Sequence, residues 1–125
     1  MSDFYKILVV EDESVLNSAL CQKLESVGYE TFAVNDGEKG LNVAINALPD
    51  CIVLDLIMPH MGGIEMLKRL RTSKGCAEIP VIILTNIDNT GDIREINDDP
   101  KAWAFVKSNT SLTDILVAIR GVISV

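Results

Sequence analysis

The chain lacks most of what extracellular, membrane or nucleic-acid chemistry requires. Its three cysteines, Cys21, Cys51 and Cys76, are odd in number and widely spaced. No Cys-x-x-Cys occurs, so they read as reduced thiols and not as a disulfide framework or a zinc site. The one histidine, His60, has no ligand type near it at metal-binding spacing, and it is expected to be exposed and without a catalytic part. No apolar run approaches the ~18 residues of a membrane-spanning helix. The segment Met1 to Lys6 lacks the basic-then-apolar pattern of a secretory leader, so a cytoplasmic location is expected. Basic residues are scarce, 11 against 18 acidic for a net charge of −7. That balance argues against direct binding to nucleic acid, which relies on clustered Lys and Arg. The only basic cluster, Lys68, Arg69 and Arg71 with Lys74 nearby, has helical spacing and reads as a solvated face.

What is present is a globular composition, 48% hydrophobic and 23% charged over 125 residues, the size of one domain. No repeat, linker or low-complexity stretch divides it, so residues 1–125 are taken as a single unit. Strand and helix patterns alternate. Lys6 to Val10, Thr31 to Val34, Cys51 to Asp55, Pro80 to Thr85 and Ala102 to Val106 read as strands. Between them, Glu13 to Val27 carries an apolar stripe at Val15, Leu16, Leu20 and Leu24. Asp36-Gly37 opens a helix with Leu41, Val43, Ala44, Ile45 and Leu48, which Pro49 ends. A third helix from about Gly63 places Ile64, Met66, Leu67 and Leu70 inward, and Gly91 to Asn97 is expected to form a short fourth. A fifth begins at Thr110-Ser111, where Ser111 and Asp114 resemble a capping box. Its stripe is Leu112, Ile115, Leu116, Ile119 and Val122. Five strands and five helices in alternation predict an α/β fold with a parallel sheet covered on both faces. The expected order is flavodoxin-like, 2-1-3-4-5.

That order gives the charged residues a meaning. Asp55 ends a strand that reads as buried on both faces, and Pro59 and Gly62-Gly63 then turn the chain into the next helix. Glu11 and Asp12 end the first strand. In an open parallel sheet, ligands bind outside the carboxyl ends of the strands, at the point where strand order reverses. Asp12 and Asp55 should therefore meet there, with Thr85 and Lys107 at the ends of the fourth and fifth strands. Carboxylates with a backbone carbonyl suit Mg²⁺ or Mn²⁺, which bridge to phosphate oxygens. A lysine and a threonine hydroxyl can bind further phosphoryl oxygens, and a carboxylate can itself accept a phosphoryl group. Met58 and Met61, on either side of Pro59, read as packing residues.

Four motifs in order, Val-Val-Glu-Asp-Glu at 9–13, Asp-Leu-Ile-Met-Pro-His-Met-Gly-Gly at 55–63, Ile-Ile-Leu-Thr at 82–85 and Phe-Val-Lys at 105–107, resemble a response-regulator receiver domain. This is the phospho-acceptor module of two-component signalling, as in the single-domain chemotaxis regulators. The resemblance covers essentially the whole chain. It implies that Asp55 is phosphorylated from a kinase histidine. It implies that Asp12 binds Mg²⁺ directly, Glu11 through water, and that Asp55 and the backbone carbonyl of Ile57 complete the metal site. Thr85 would be the switch hydroxyl, and Lys107 would pair with a phosphoryl oxygen or, before phosphorylation, with Asp55. The implied partners are a sensor histidine kinase or phosphotransfer protein and a downstream effector or output domain. A homodimer through the fourth helix, fifth strand and fifth helix is also compatible. Such a protein catalyses only its own phosphorylation and dephosphorylation.

Three positions depart from the family pattern. Ala104 stands where the family has Tyr or Phe three residues before the lysine, so phosphorylation is expected to be relayed through Thr85 and the loop after it. Ser108 stands where a proline usually follows the lysine, so a trans Lys107–Ser108 bond is the default. Ile57 and Ile87 occupy places from which side chains act on the water that attacks the phosphoryl group. Two apolar residues there predict a long-lived phosphoryl state.

Three other readings compete. A flavin-binding electron carrier would need a Ser-, Thr- and Gly-rich loop after the first strand, where Glu11, Asp12 and Glu13 stand. An aspartyl-nucleophile phosphohydrolase would carry an acid two residues after the nucleophile, where Ile57 stands. A phosphorylation-independent pseudo-receiver would not require Asp12, Asp55, Thr85 and Lys107 together.

Overall fold

A computed structural model describes residues 4–86, 94 and 96–123. Five strands, β1 (Lys6–Val10), β2 (Glu30–Val34), β3 (Cys51–Asp55), β4 (Val81–Thr85) and β5 (Ala102–Val106), form one sheet of order β2-β1-β3-β4-β5. Every neighbouring pair is parallel. Four α-helices are described: α1 (Ser14–Ser26), α2 (Gly37–Ala47), α3 (Gly63–Arg71) and α4 (Leu112–Ile123). The helix expected at 91–97 lies largely outside the described residues, although Arg94, Ile96 and Asn97 are helical. A short 3₁₀ turn, Lys107–Asn109, follows β5.

The sheet divides the apolar interior in two because successive strand residues point to opposite faces. Leu8, Val10, Ile52, Leu54, Val81 and Ile83 pack toward α2 and α3, against Ala44, Met66, Leu67, Leu70 and Ile96. Ile7, Val9, Cys51, Val53, Ile82 and Leu84 pack toward α1 and α4, against Leu20, Cys21, Leu24, Ile115, Leu116 and Ile119. Each fully buried aliphatic side chain contributes about 1.5–3 kcal/mol from removal of apolar surface from water. All three cysteines are buried free thiols.

The helix ends follow local chemistry. The Asp36 side chain accepts a 2.8 Å hydrogen bond from the Lys39 amide and caps α2, as a short acidic residue does at this position. The chain leaves α2 through Leu48 in the left-handed region (φ 48°), and Pro49 prevents continuation. At α4 the capping box forms in both directions. The Ser111 amide donates to Asp114 Oδ2 and the Asp114 amide to Ser111 Oγ, each at 3.0 Å.

Two expectations need correction, for α1 and for Arg71, and α2 shows a feature the apolar pattern does not. In α1 the buried residues are Asn17, Leu20, Cys21 and Leu24, whereas Val15 is 83% exposed. The inward face thus includes a polar residue beside three apolar ones. In α2 the buried residues are Gly37, Gly40 and Ala44, Leu41 and Val43 pack partly against the core, and Ile45 and the C-cap Leu48 are exposed. The small residues are required because α2 lies against its neighbours: a Cβ on Gly40 would stand 2.9 Å from Val10 Cγ2 and 3.0 Å from Met66. Finally, Arg71 does not belong to a solvated basic face. Its guanidinium donates to Asp99 Oδ2 (2.7 Å) and to the carbonyls of Cys76, Ile79 and Lys101. Helical spacing cannot register partners from distant segments.

Candidate functional site

Parallel register brings the strand ends to one rim. Val10 lies beside Leu54, Asp55 beside Leu84, and Thr85 beside Val106. The next residues after β1 and β5 are Glu11 and Lys107, so Glu11, Asp12, Asp55, Thr85 and Lys107 stand along one edge, as expected. Glu11, Asp55 and Thr85 are buried, at 2, 5 and 4% exposure, and Asp12 is exposed. The expected packing roles of Met58 and Met61 hold, since both pack into the α2–α3 side of the core, and His60 is exposed. Ile57 is 69% exposed. Ile87 lies outside the described residues.

Lys107 is the hub of the site. Its Nζ lies 2.8 Å from Glu13 Oε2, 2.9 Å from Glu11 Oε1 and 3.3 Å from Asp55 Oδ2. The bond between Lys107 and Ser108 is trans, since no cis peptide occurs among the described residues. The turn that carries Lys107 is held by Thr110, whose hydroxyl donates to the Val106 carbonyl at 2.6 Å. Asp55 Oδ1 accepts from the Ile57 amide at 3.3 Å. Glu11 Oε2 accepts from the Glu13 amide at 3.0 Å. Glu11 Oε1 is buried with no hydrogen bond of good geometry and is paired with the Lys107 ammonium at 2.9 Å.

The electrostatics follow from burial and crowding. Burial pushes the Glu11 carboxyl up to about 7, against the lowering effect of the Glu13 amide and Lys107. Burial alone would lower Lys107. Its bonds to Glu13 and Glu11 and the charge of Asp55 outweigh burial and raise it above the usual lysine value. The ammonium is therefore fixed in place by the carboxylates around it.

The same carboxylates make a donor set for a hard cation. Glu11, Asp12 and Asp55 each offer an oxygen, all within 4.8 Å of one another, the one such group among the described residues. Three oxygen donors, one of them buried and lacking a hydrogen bond, fit Mg²⁺ or Mn²⁺.

Two residues of the site were not singled out by sequence. Asn17 is buried, and its Nδ2 donates to the carbonyls of Glu11 (3.0 Å) and Val34 (2.9 Å). It thereby ties the acidic loop to the end of β2. The available signal was its place with Leu20, Cys21 and Leu24 at i, i+3, i+4 and i+7. The other is Glu13, whose contact with Lys107 bridges residues far apart in sequence.

An acidic rim on a five-stranded sheet of this order defines the receiver class of signalling domain. Residues 7–120 match the family described as response regulator receiver domain, and the chain belongs to that family. Receiver domains are signalling modules of two-component systems, not classical enzymes. The chain is 41% identical over 87 residues to the alkaline phosphatase synthesis transcriptional regulatory protein PhoP of Bacillus subtilis, a match covering 70% of this chain and 35% of that protein. The chain spans at most about half the length of the relatives it matches. Chemotaxis protein CheY4 of Vibrio cholerae superposes with a TM-score of 0.85 at 26% identity, covering 95% of this chain and 98% of that one. The receiver domain of sensor histidine kinase PA1611 from Pseudomonas aeruginosa shares the fold, with a TM-score of 0.85 at 23% identity over 98% and 99% of the two chains. That structure has a magnesium ion coordinated in its active-site cleft. No helix among the described residues is long and apolar enough to cross a membrane.

Proposed function

We propose that residues 1–125 act as one receiver domain in which Asp55 accepts a phosphoryl group from a phosphohistidine. The donor is a sensor histidine kinase or a phosphotransfer protein, and the setting is the cytoplasm. The observation that carries this reading is the buried Asp55 carboxylate at the end of the central strand β3, 3.3 Å from an ammonium group. A carboxylate oxygen of Asp55 attacks phosphorus, the P–N bond of the donor breaks, and its electron pair stays on the imidazole nitrogen. The product is an acyl phosphate. Bound Mg²⁺ or Mn²⁺ supplies charge neutralisation for the phosphoryl oxygens. Asp12, Asp55 and the Ile57 carbonyl would hold it directly, and Glu11 through water. Lys107 pairs with one phosphoryl oxygen, and the Thr85 hydroxyl donates to another.

Phosphorylation then shifts an existing conformational equilibrium. The readout face is built from β5 and α4, together with the expected fourth helix, which lies largely outside the described residues, and it contacts an effector, an output domain or a second copy. Ala104 leaves no aromatic rotamer to move, so Thr85 and the following loop carry the change. Ile57 stands exposed beside Asp55 with no polar group to orient water, which favours a long-lived phosphoryl state. The chain catalyses only its own phosphorylation and dephosphorylation. The pseudo-receiver alternative is disfavoured by the complete set of Glu11, Asp12, Asp55, Thr85 and Lys107.

The test is intact mass after incubation with a small phosphodonor and Mg²⁺, followed over time, beside Asp55→Asn. Gain of one phosphoryl group by the native chain alone, dependent on metal and slow to decay, is the expected result. No gain with any donor would return the function to a phosphate-independent binding module.

A further inference from the structure

Glu13 has the wrong side chain for its place and an unusual use of it. It is the residue before α1, where Ser, Thr, Asp or Asn normally caps a helix, and its side chain makes no capping bond. Although 65% exposed, its carboxylate instead meets the Lys107 ammonium at 2.8 Å. Its amide meanwhile donates to Glu11 Oε2. Glu13 thus touches both the lysine and a carboxylate of the cation cluster.

Three carboxylates compete for Lys107, and they are not equivalent. Glu11 and Asp55 belong to the cluster that offers oxygens to a cation; Glu13 does not. A divalent cation and an ammonium drawn to the same Glu11 and Asp55 carboxylates compete for them, because like charges a few ångströms apart disfavour each other. When a cation enters, Glu13 is the carboxylate left to the lysine.

We propose that Glu13 is the positioning residue for Lys107. It holds the ammonium toward the rim and keeps it paired while a divalent cation occupies the cluster of Glu11, Asp12 and Asp55. This rests on the cation reading above. Without Glu13, Lys107 has only the cation's own ligands as partners and competes harder for them.

The experiment is calorimetric titration of the full chain with Mg²⁺ alone, in the absence of phosphodonor. The chains compared are the native protein, Glu13→Gln, Lys107→Met and the double variant. Glu38→Gln removes the same charge from the exposed first turn of α2 and serves as control. Far-UV circular dichroism melts establish that each variant folds, and Lys107→Gln provides a second background. We expect Glu13→Gln to weaken Mg²⁺ binding roughly two- to fivefold, the scale of a partly exposed ion pair. Glu38→Gln should leave it unchanged, and the Glu13→Gln effect should largely vanish when Lys107 is absent. Equal weakening with and without Lys107 would show that Glu13 acts through its field alone and would overturn the proposal, as would no weakening. If the native chain itself binds no Mg²⁺, the cation reading fails and takes the proposal with it. A native chain that binds normally but shows no coupling removes only the role of Glu13.

Discussion

Arg71 and Asp99 form a 2.7 Å ion pair with little solvent exposure, at the amino ends of β4 and β5 and so at the rim opposite Asp55. The same guanidinium donates to the Ile79 and Lys101 carbonyls, which precede those strands. One side chain at the end of α3 therefore fixes where two strands begin.

Arg71→Ala should cost about 3 kcal/mol, since it leaves a shielded carboxylate and several carbonyls without a donor. Arg71→Lys should recover little, because an ammonium cannot span the fork of partners that a planar guanidinium does. Urea unfolding of both variants measures this. A loss below about 1 kcal/mol for Arg71→Ala would show that these contacts are replaceable by water.

Asn17→Leu keeps the approximate volume and removes both donors. The Val34 carbonyl retains the Glu11 amide at 3.1 Å, so the Glu11 carbonyl bears most of the loss. We expect a destabilisation of about 1–3 kcal/mol together with weaker Mg²⁺ binding, as the acidic loop loses its tie to β2. A variant equally unstable but with native metal affinity would confine Asn17 to a role in folding.

Gly62 and Gly63 are adjacent but should respond differently to alanine. A Cβ on Gly63 would stand 2.8 Å from the Asp55 carbonyl oxygen and 2.8 Å from Leu56 Cα, both backbone atoms that cannot swing aside. A Cβ on Gly62 would meet only the Leu56 carbonyl oxygen, at an ordinary 3.6 Å. Gly63→Ala should cost about 1–3 kcal/mol by overpacking and slow phosphorylation of Asp55. Gly62→Ala should be close to neutral. Thermal melts and phosphorylation rates of the pair decide it, and equal behaviour would refute the steric account.

The α4 capping box predicts a pH effect of defined sign. The backbone and hydroxyl bonds from Ser111 hold the Asp114 carboxyl below its ordinary value of 3.8. A carboxyl with a lowered folded value contributes stability that is present above its unfolded value and lost as pH falls through the folded one. Ser111→Ala should move the Asp114 titration, followed by NMR, up toward the ordinary value. The variant's deficit relative to native should be largest near neutral pH and shrink in acid. An unmoved titration would mean that the residue 111 amide, which alanine keeps, and not the hydroxyl, holds the carboxyl down.

Much of this was legible in the sequence because the strands advertise themselves. β1, β3 and β5 have the expected bounds, since each is a continuous apolar run closed by polar or turn-forming residues. The rim residues followed from that, because parallel order alone sends Glu11, Asp55, Thr85 and Lys107 to one edge. The failures share one cause. Asn17 and Arg71 are polar side chains whose partners lie on other elements, and hydrophobic periodicity scores them as surface. Val15 fails in the complementary way: it is apolar at helical spacing, yet the face of α1 that carries Asn17, Leu20, Cys21 and Leu24 turns inward and leaves it in water. Glu13 is a third instance, a charge in an acidic run whose partner, Lys107, lies at the far end of the chain.

The division of the interior by the sheet has a consequence for how such a domain changes over generations. Ile82 and Ile83 are neighbours in sequence but occupy different cores. Changes on opposite faces that share no partner tend to have additive effects. The domain therefore holds two mutational compartments back to back. Substitutions far apart on the two faces should add, whereas neighbours such as Ile82 and Ile83 share one strand and can couple through its backbone. The acidic rim lies on the seam between them, anchored by backbone that both compartments support and neither owns.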